Sequence, residues 1–204
     1  VRPDRIESTL RRREAMRLLD RCGARIEPYS SSQTTIELAE GPAAEEICRF
    51  ARECGEGMVV LGRRGRKDVG RDGVGGTVHK VLSQAPGPVL LVPVEAPIPG
   101  LAYRQIVVPL DGSRWAESVL PLAVRLAKAA DTELLLVHVV PTPEMIQARP
   151  LETEDETLRE NLIERNEQAA RGYLDRTRSN LAARGLRARA IVIRGNDVRD
   201  TLCA

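Results

Sequence analysis

Two short apolar runs without polar interruption, Met58-Val59-Val60-Leu61 and Val89 to Val94, restrict the possible folds most. A strand that alternates apolar and polar residues has one wet face; an unbroken run belongs to a strand buried on both, which is the habit of parallel sheets. Parallel neighbours cannot be joined by a tight turn and need a crossover, usually a helix. The intervening residues supply one: a glycine-rich loop from Gly62 to Gly76, then a short helix over 77–84 that Pro86 ends. The pattern returns downstream. Ile106-Val107-Val108 is a buried strand, Asp111-Gly112-Ser113 a turn, 114–130 a helix bent at Pro121, and 133–140 the next strand. Strand, helix and strand in succession give an α/β chain with parallel sheets and helices on both faces.

The remaining segments fit that class. Residues 5–22 carry Ile6, Leu10, Ala15, Leu18, Leu19 and Cys22 at helical spacing, with Gly23 placed to cap the last turn. Thr34 to Leu38 reads as a strand. Pro42 opens a helix over 43–54 with Ile47, Phe50, Ala51 and Cys54 on its inner face. Further on, a long amphipathic helix over 154–184 ends at Gly185, 187–193 is a strand, and Gly195 leads into a last helix. Helix, Gly23, strand, Gly41, helix thus matches helix, Gly185, strand, Gly195, helix, a repeat at domain length that suggests duplication. Pro97, Pro99 and Gly100 mark the linker between the copies.

Several function classes are disfavoured. The 31 basic and 29 acidic residues nearly balance, and aromatics make up only 2%, so neither a basic footprint nor a stacking platform for nucleic acid is expected. No apolar run reaches membrane-spanning length and no secretory leader is visible. Cys22, Cys48, Cys54 and Cys203 have no metal-ligand spacing, so reduced, covered thiols in a cytoplasmic protein are expected.

The strongest chemical signal is the loop after the 58–61 strand. Gly62 and Gly65 stand two residues apart; nine more precede Gly75, then Gly76 and Thr77. Glycines let the backbone approach a ligand closely, and N–H groups at a helix start attract an anion. A loop of this kind beyond the carboxyl end of a parallel strand is a phosphate cradle or simply a turn. Arg63, Arg64, Arg66 and Lys67 flank it, as phosphate contacts or as a solvated loop. His138, mid-strand, reads as structural, His79 as a helix-surface residue and Trp115 as packing. Ser113 has no histidine placed by sequence to activate it and reads as a helix N-cap.

The motif Gly62-x2-Gly65-x9-Gly75, followed by Val81-Leu82 and Ala85-Pro86-Gly87-Pro88-Val89-Leu90-Leu91-Val92, resembles the closing half of a universal stress protein domain. Ile106-Val107-Val108-Pro109-Leu110-Asp111-Gly112-Ser113 and Leu134 to Val140 resemble its opening half. The resemblance implies a Rossmann-like, adenine nucleotide alpha hydrolase-like fold in two domains: 1–98 as the C-terminal part of a first domain, 99–103 as linker, and 104–204 as the N-terminal part of a second. A stretch of a longer tandem protein is the expectation, with a permuted chain, in which Asp111 and the glycine loop complete one site, as the alternative.

For function, the resemblance implies a stress-responsive regulatory protein that binds ATP, with its Mg, or another adenine nucleotide. Backbone N–H groups of Gly62, Gly65, Gly75 and Gly76 would hold phosphates; Pro109, Asp111 and Val139 would lie around adenine and ribose. The motif expects Ser or Thr where Gly76 stands, and Thr77 follows one position later. A nucleotide-free interaction module of the same fold is therefore the alternative. Pairing of domains or subunits through the 89–94 strand is implied. No catalytic residue, metal, nucleic acid or membrane partner is expected, and at most slow ATP hydrolysis.

Overall fold

A computed structural model describes residues 5–55, 57–62, 74–93, 103–142 and 153–203. The chain divides into two compact units, Val1–Pro97 and Ile98–Ala204. Each is α/β with a parallel sheet.

In the first unit, strands β1 (Val59–Gly62) and β2 (Val89–Val92) pair in parallel, Val59 opposite Val89 and Val60 opposite Leu90. Helices α2 (Ala43–Glu53) and α3 (Gly76–Gln84) pack on one face of this pair. Ala44, Cys48 and Val81 form the buried centre, with Ile47, Val59, Leu61 and Val89 around them. The opposite face is bare: Val60 is 55% and Leu90 41% exposed.

Four sequence expectations fail, in whole or in part, in this unit. Helix α1 runs from Arg5 to Ile26, straight through Gly23, so Gly23 caps nothing. Its role is steric: a Cβ there would meet Ile36 Cδ1 at 2.8 Å, so glycine admits the 34–38 segment against the helix. That segment is not a strand either, because an extended chain needs a neighbouring ladder and β1 pairs only with β2 among the described residues. Finally, the core face of α2 is Ala44 and Cys48. Of the predicted stripe, Ile47 packs against this core as expected, while Phe50, Ala51 and Cys54, with Ile47 at their edge, line an apolar groove of about 500 Å³ whose other wall is Leu19, Cys22 and Ile26 of α1. Cys22 and Cys54 are accordingly exposed, against expectation, and Cys48 is buried.

The second unit is better filled. Its sheet has the order β3 (Gln105–Pro109), β4 (Glu133–Pro141), β5 (Ala188–Gly195), all parallel, with Val108 opposite Leu136 and Val137 opposite Ile191. Helices α5 (Leu120–Ala130) and α6 (Thr153–Ala183) cover one face. On α5 the contact positions are Ala123, Val124 and Ala127, small enough to bring helix and sheet close; α6 answers with Leu174 and Leu181. Leu134, Leu136 and Leu174 are 0% exposed, each burial stabilising by about 1.5–3 kcal/mol. Gly185 ends α6 as its position predicts, at φ 76°, with Leu186 N–H donating to Leu181 at 3.2 Å. A helix α7 (Val198–Cys203) closes the described chain.

The predicted bend at Pro121 is a break. Helix α4 (Arg114–Glu117) stops, and α5 restarts with Pro121 in its first turn, where the missing N–H costs nothing. Among the described residues no helix is long and apolar enough to cross a membrane.

Candidate functional site

The sequence-predicted site residues fall in two places, one per unit. In the first unit β1 ends at Gly62, which is exposed. Because β1 and β2 are parallel and α3 returns between them, the start of α3 belongs to the same carboxyl end of the sheet. Gly75 is its N-cap, buried, and Gly76 its first residue. Thr77 is exposed. The first-turn N–H groups have no acceptor within the helix, which leaves donors and a partial positive charge at this end. Among the described residues a Cβ on Gly76 would meet nothing within 4 Å, so they give no steric reason for the missing hydroxyl. Gly65, with Arg63, Arg64, Arg66 and Lys67, lies outside the described residues.

In the second unit Pro109 ends β3, Asp111 follows it in the turn and Val139 lies near the end of β4; of the three, only Asp111 lines the pocket described below. β3 stops at Pro109, opposite Val137, while β4 runs on to Pro141, so the last residues of β4 have no β3 partner. Leu110 N–H donates to Val137 O at 2.8 Å and holds the turn against β4. Gly112 follows at φ 82°, a backbone conformation that glycine adopts freely. The turn sets Asp111: its Oδ1 accepts the Ser113 N–H at 2.8 Å. The Ser113 side chain, then the Ser113 N–H, hold the Asp111 carboxyl below the usual carboxylate range, with a smaller contribution from His138. Ser113 is the N-cap it was read to be, accepting from Ala116 N–H at 3.0 Å.

A pocket of about 350 Å³ opens beside this turn, walled by Asp111, Gly112, His138, Pro141, Asn166 and Tyr173. The Tyr173 hydroxyl donates to Glu117 Oε1 at 3.0 Å, tying α6 to α4. Burial first, and this hydrogen bond second, push the Tyr173 phenol up to about 12. The pocket therefore offers a carboxylate, a phenol fixed in place and an imidazole, all near the carboxyl end of a parallel sheet, where α/β folds hold ligands.

Sequence reasoning missed His138, Asn166 and Tyr173 as wall residues. His138 shares the helix-covered face with Leu134, Leu136 and Val140, so its place in an apolar run concealed it. Asn166 and Tyr173 stand seven residues apart on one side of α6, a spacing visible in the sequence, where the helix was read as amphipathic without singling out Asn166. Trp115, expected to pack, is 89% exposed. Its place in the short α4 turns it out to solvent.

The universal stress protein family model matches residues 4–93 and 102–204. No curated protein matches the chain. Among solved structures, a universal stress protein from Archaeoglobus fulgidus is similar over 90% of this chain and 59% of its own, at 20% identity and a TM-score of 0.63. A universal-stress-family protein from Burkholderia pseudomallei is similar over 51% of this chain and 73% of its own, at 28% identity and a TM-score of 0.41. Universal stress protein UspA from Lactobacillus plantarum covers 47% of this chain and 63% of its own, at 18% identity and a TM-score of 0.39. With both segments matched by one family model over nearly the whole sequence, the chain belongs to the universal stress protein family.

Proposed function

We propose that the chain binds ATP, with its Mg, or another adenine nucleotide, and serves as a cytoplasmic regulatory protein of the stress response. The observation that carries this reading is the pocket at the carboxyl ends of β3 and β4, with Asp111 held ionised at its rim. A carboxylate there suits the hydroxyls of a ribose and disfavours a phosphate, which supports a base and sugar contact at this pocket. The donors at the start of α3, beyond Gly62, suit phosphates. The walls include no nucleophile paired with a base, so binding rather than turnover is the proposed activity.

A second reading is a nucleotide-free interaction module. Gly76 in place of Ser or Thr favours it, as does the exposed Val60 and Leu90 face beside the edge of β2, through which copies would pair. The two readings separate on purified protein. Denaturation followed by mass spectrometry identifies any retained nucleotide, with Gly65→Asp as the control. ATP or AMP from the parent and none from the variant supports the first reading. No nucleotide, together with a concentration-dependent dimer that Leu90→Lys disrupts, supports the second.

A further inference from the structure

The wall of the second-unit pocket contains one polar group whose position folding alone does not explain. His138 lies on the face of β4 that α6 covers, and its Nδ1 is buried without a hydrogen-bond partner among the described residues. Leu or Val at that place would match Leu134, Leu136 and Val140 and avoid burying an unmet ring nitrogen, which is destabilising in an apolar setting. The nearby polar groups are bonded elsewhere rather than to it: the Tyr173 hydroxyl donates to Glu117 and the Asp111 carboxylate accepts from Ser113. The residue is nevertheless part of the pocket wall, which puts the unmet nitrogen on a side chain that borders the cavity.

We infer that His138 is a specificity-determining residue of this pocket, completing the hydrogen bonding of its Nδ1 on the base and sugar end of the bound nucleotide. The inference rests on the adenine-nucleotide reading and adds a contact to it. Its signature is opposite effects on folding and on binding. An unmet buried polar atom burdens the empty protein, so removing it leaves stability unchanged or raises it; the same removal weakens the complex.

The test uses the full chain with ATP as the probe, by calorimetric titration, beside thermal unfolding without ligand. His138→Leu is expected to weaken ATP binding about tenfold, the loss of one hydrogen bond, while Tm holds or rises. His138→Asn, which keeps a polar atom near the place of Nδ1, is expected to stay within about threefold of the parent, and His138→Gln, whose polar atoms reach further, to behave like His138→Leu. Parent affinity that His138→Leu leaves unchanged overturns the His138 role and spares the nucleotide reading. A fall in Tm equal to the loss in binding makes the histidine structural and also overturns it. A parent chain that binds no ATP overturns the reading and the inference together.

Discussion

Helix α1 and helix α6 occupy corresponding places in a repeated sequence, yet they meet different surroundings. α6 lies on a finished surface: β4 and β5 pass beneath it, Leu174 and Leu181 are buried, and Gly185 stops it in the left-handed conformation. α1 has the extended 34–38 segment at Gly23 and an apolar groove in place of a filled core. The difference teaches that the helical pattern in sequence fixes where a helix forms but not what it stabilises. Tertiary packing does that, and it needs strands beneath the apolar face. The same contrast holds for the helix-covered faces of the sheets, since Leu134 and Leu136 are completely buried whereas Val59, Leu61 and Val89 are only half-buried.

A direct test truncates one fully buried side chain in each core. Leu174→Ala is expected to destabilise the second unit by about 2–5 kcal/mol. Val81→Ala, at the centre of the smaller core, is expected to cost about 2 kcal/mol. Denaturant unfolding followed separately in each unit would read both; equal losses would erase the distinction between a filled and an unfilled core. Next come the two glycines. Gly185→Ala forces a side chain into the left-handed region and is expected to cost about 1–2 kcal/mol. Gly23→Ala gains about 1 kcal/mol of helix propensity against a contact with the movable end of Ile36, and its net effect is expected to be small. Thermal unfolding of the pair decides whether the repeat has diverged as described.

Gly76→Ser fills open space at the start of α3 and restores the hydroxyl the family motif expects. ATP affinity is expected to rise about fivefold, the worth of roughly one added hydrogen bond. An unchanged affinity would mean that α3 holds no phosphate. The smallest effect is alkaline. The Tyr173 phenol is raised from 10.0 to about 12, so the folded unit favours its neutral form. That stabilisation is complete below pH 10 and is lost as pH rises through about 12. Tyr173→Phe should flatten the alkaline slope; a slope that survives the change belongs to another group.

The fold was largely legible because unbroken apolar runs leave few alternatives to a parallel sheet. β1, β2, β3, β4 and β5 all stand where those runs and their glycine boundaries place them. What misled was Gly23. In sequence it is indistinguishable from Gly185, since both follow an amphipathic helix; only the approach of Ile36 tells a packing glycine from a cap. Residues 34–38 have strand composition, but a strand requires a partner that no local pattern reports. Of the site, the Asp111 turn was legible through its Asp-Gly-Ser chemistry. His138 and Tyr173 were hidden because residues on apolar faces look alike until the strand ends and the pocket opens above them.

The central claim is that the Asp111 pocket receives the base and sugar of an adenine nucleotide. Calorimetric titration of ATP into the full chain and into Asp111→Ala tests it most directly. Binding by the parent, weakened about 10- to 100-fold by loss of hydrogen bonds to a charged carboxylate, is the predicted result. Equal affinity in both proteins, or none in the parent at millimolar ATP, would contradict it.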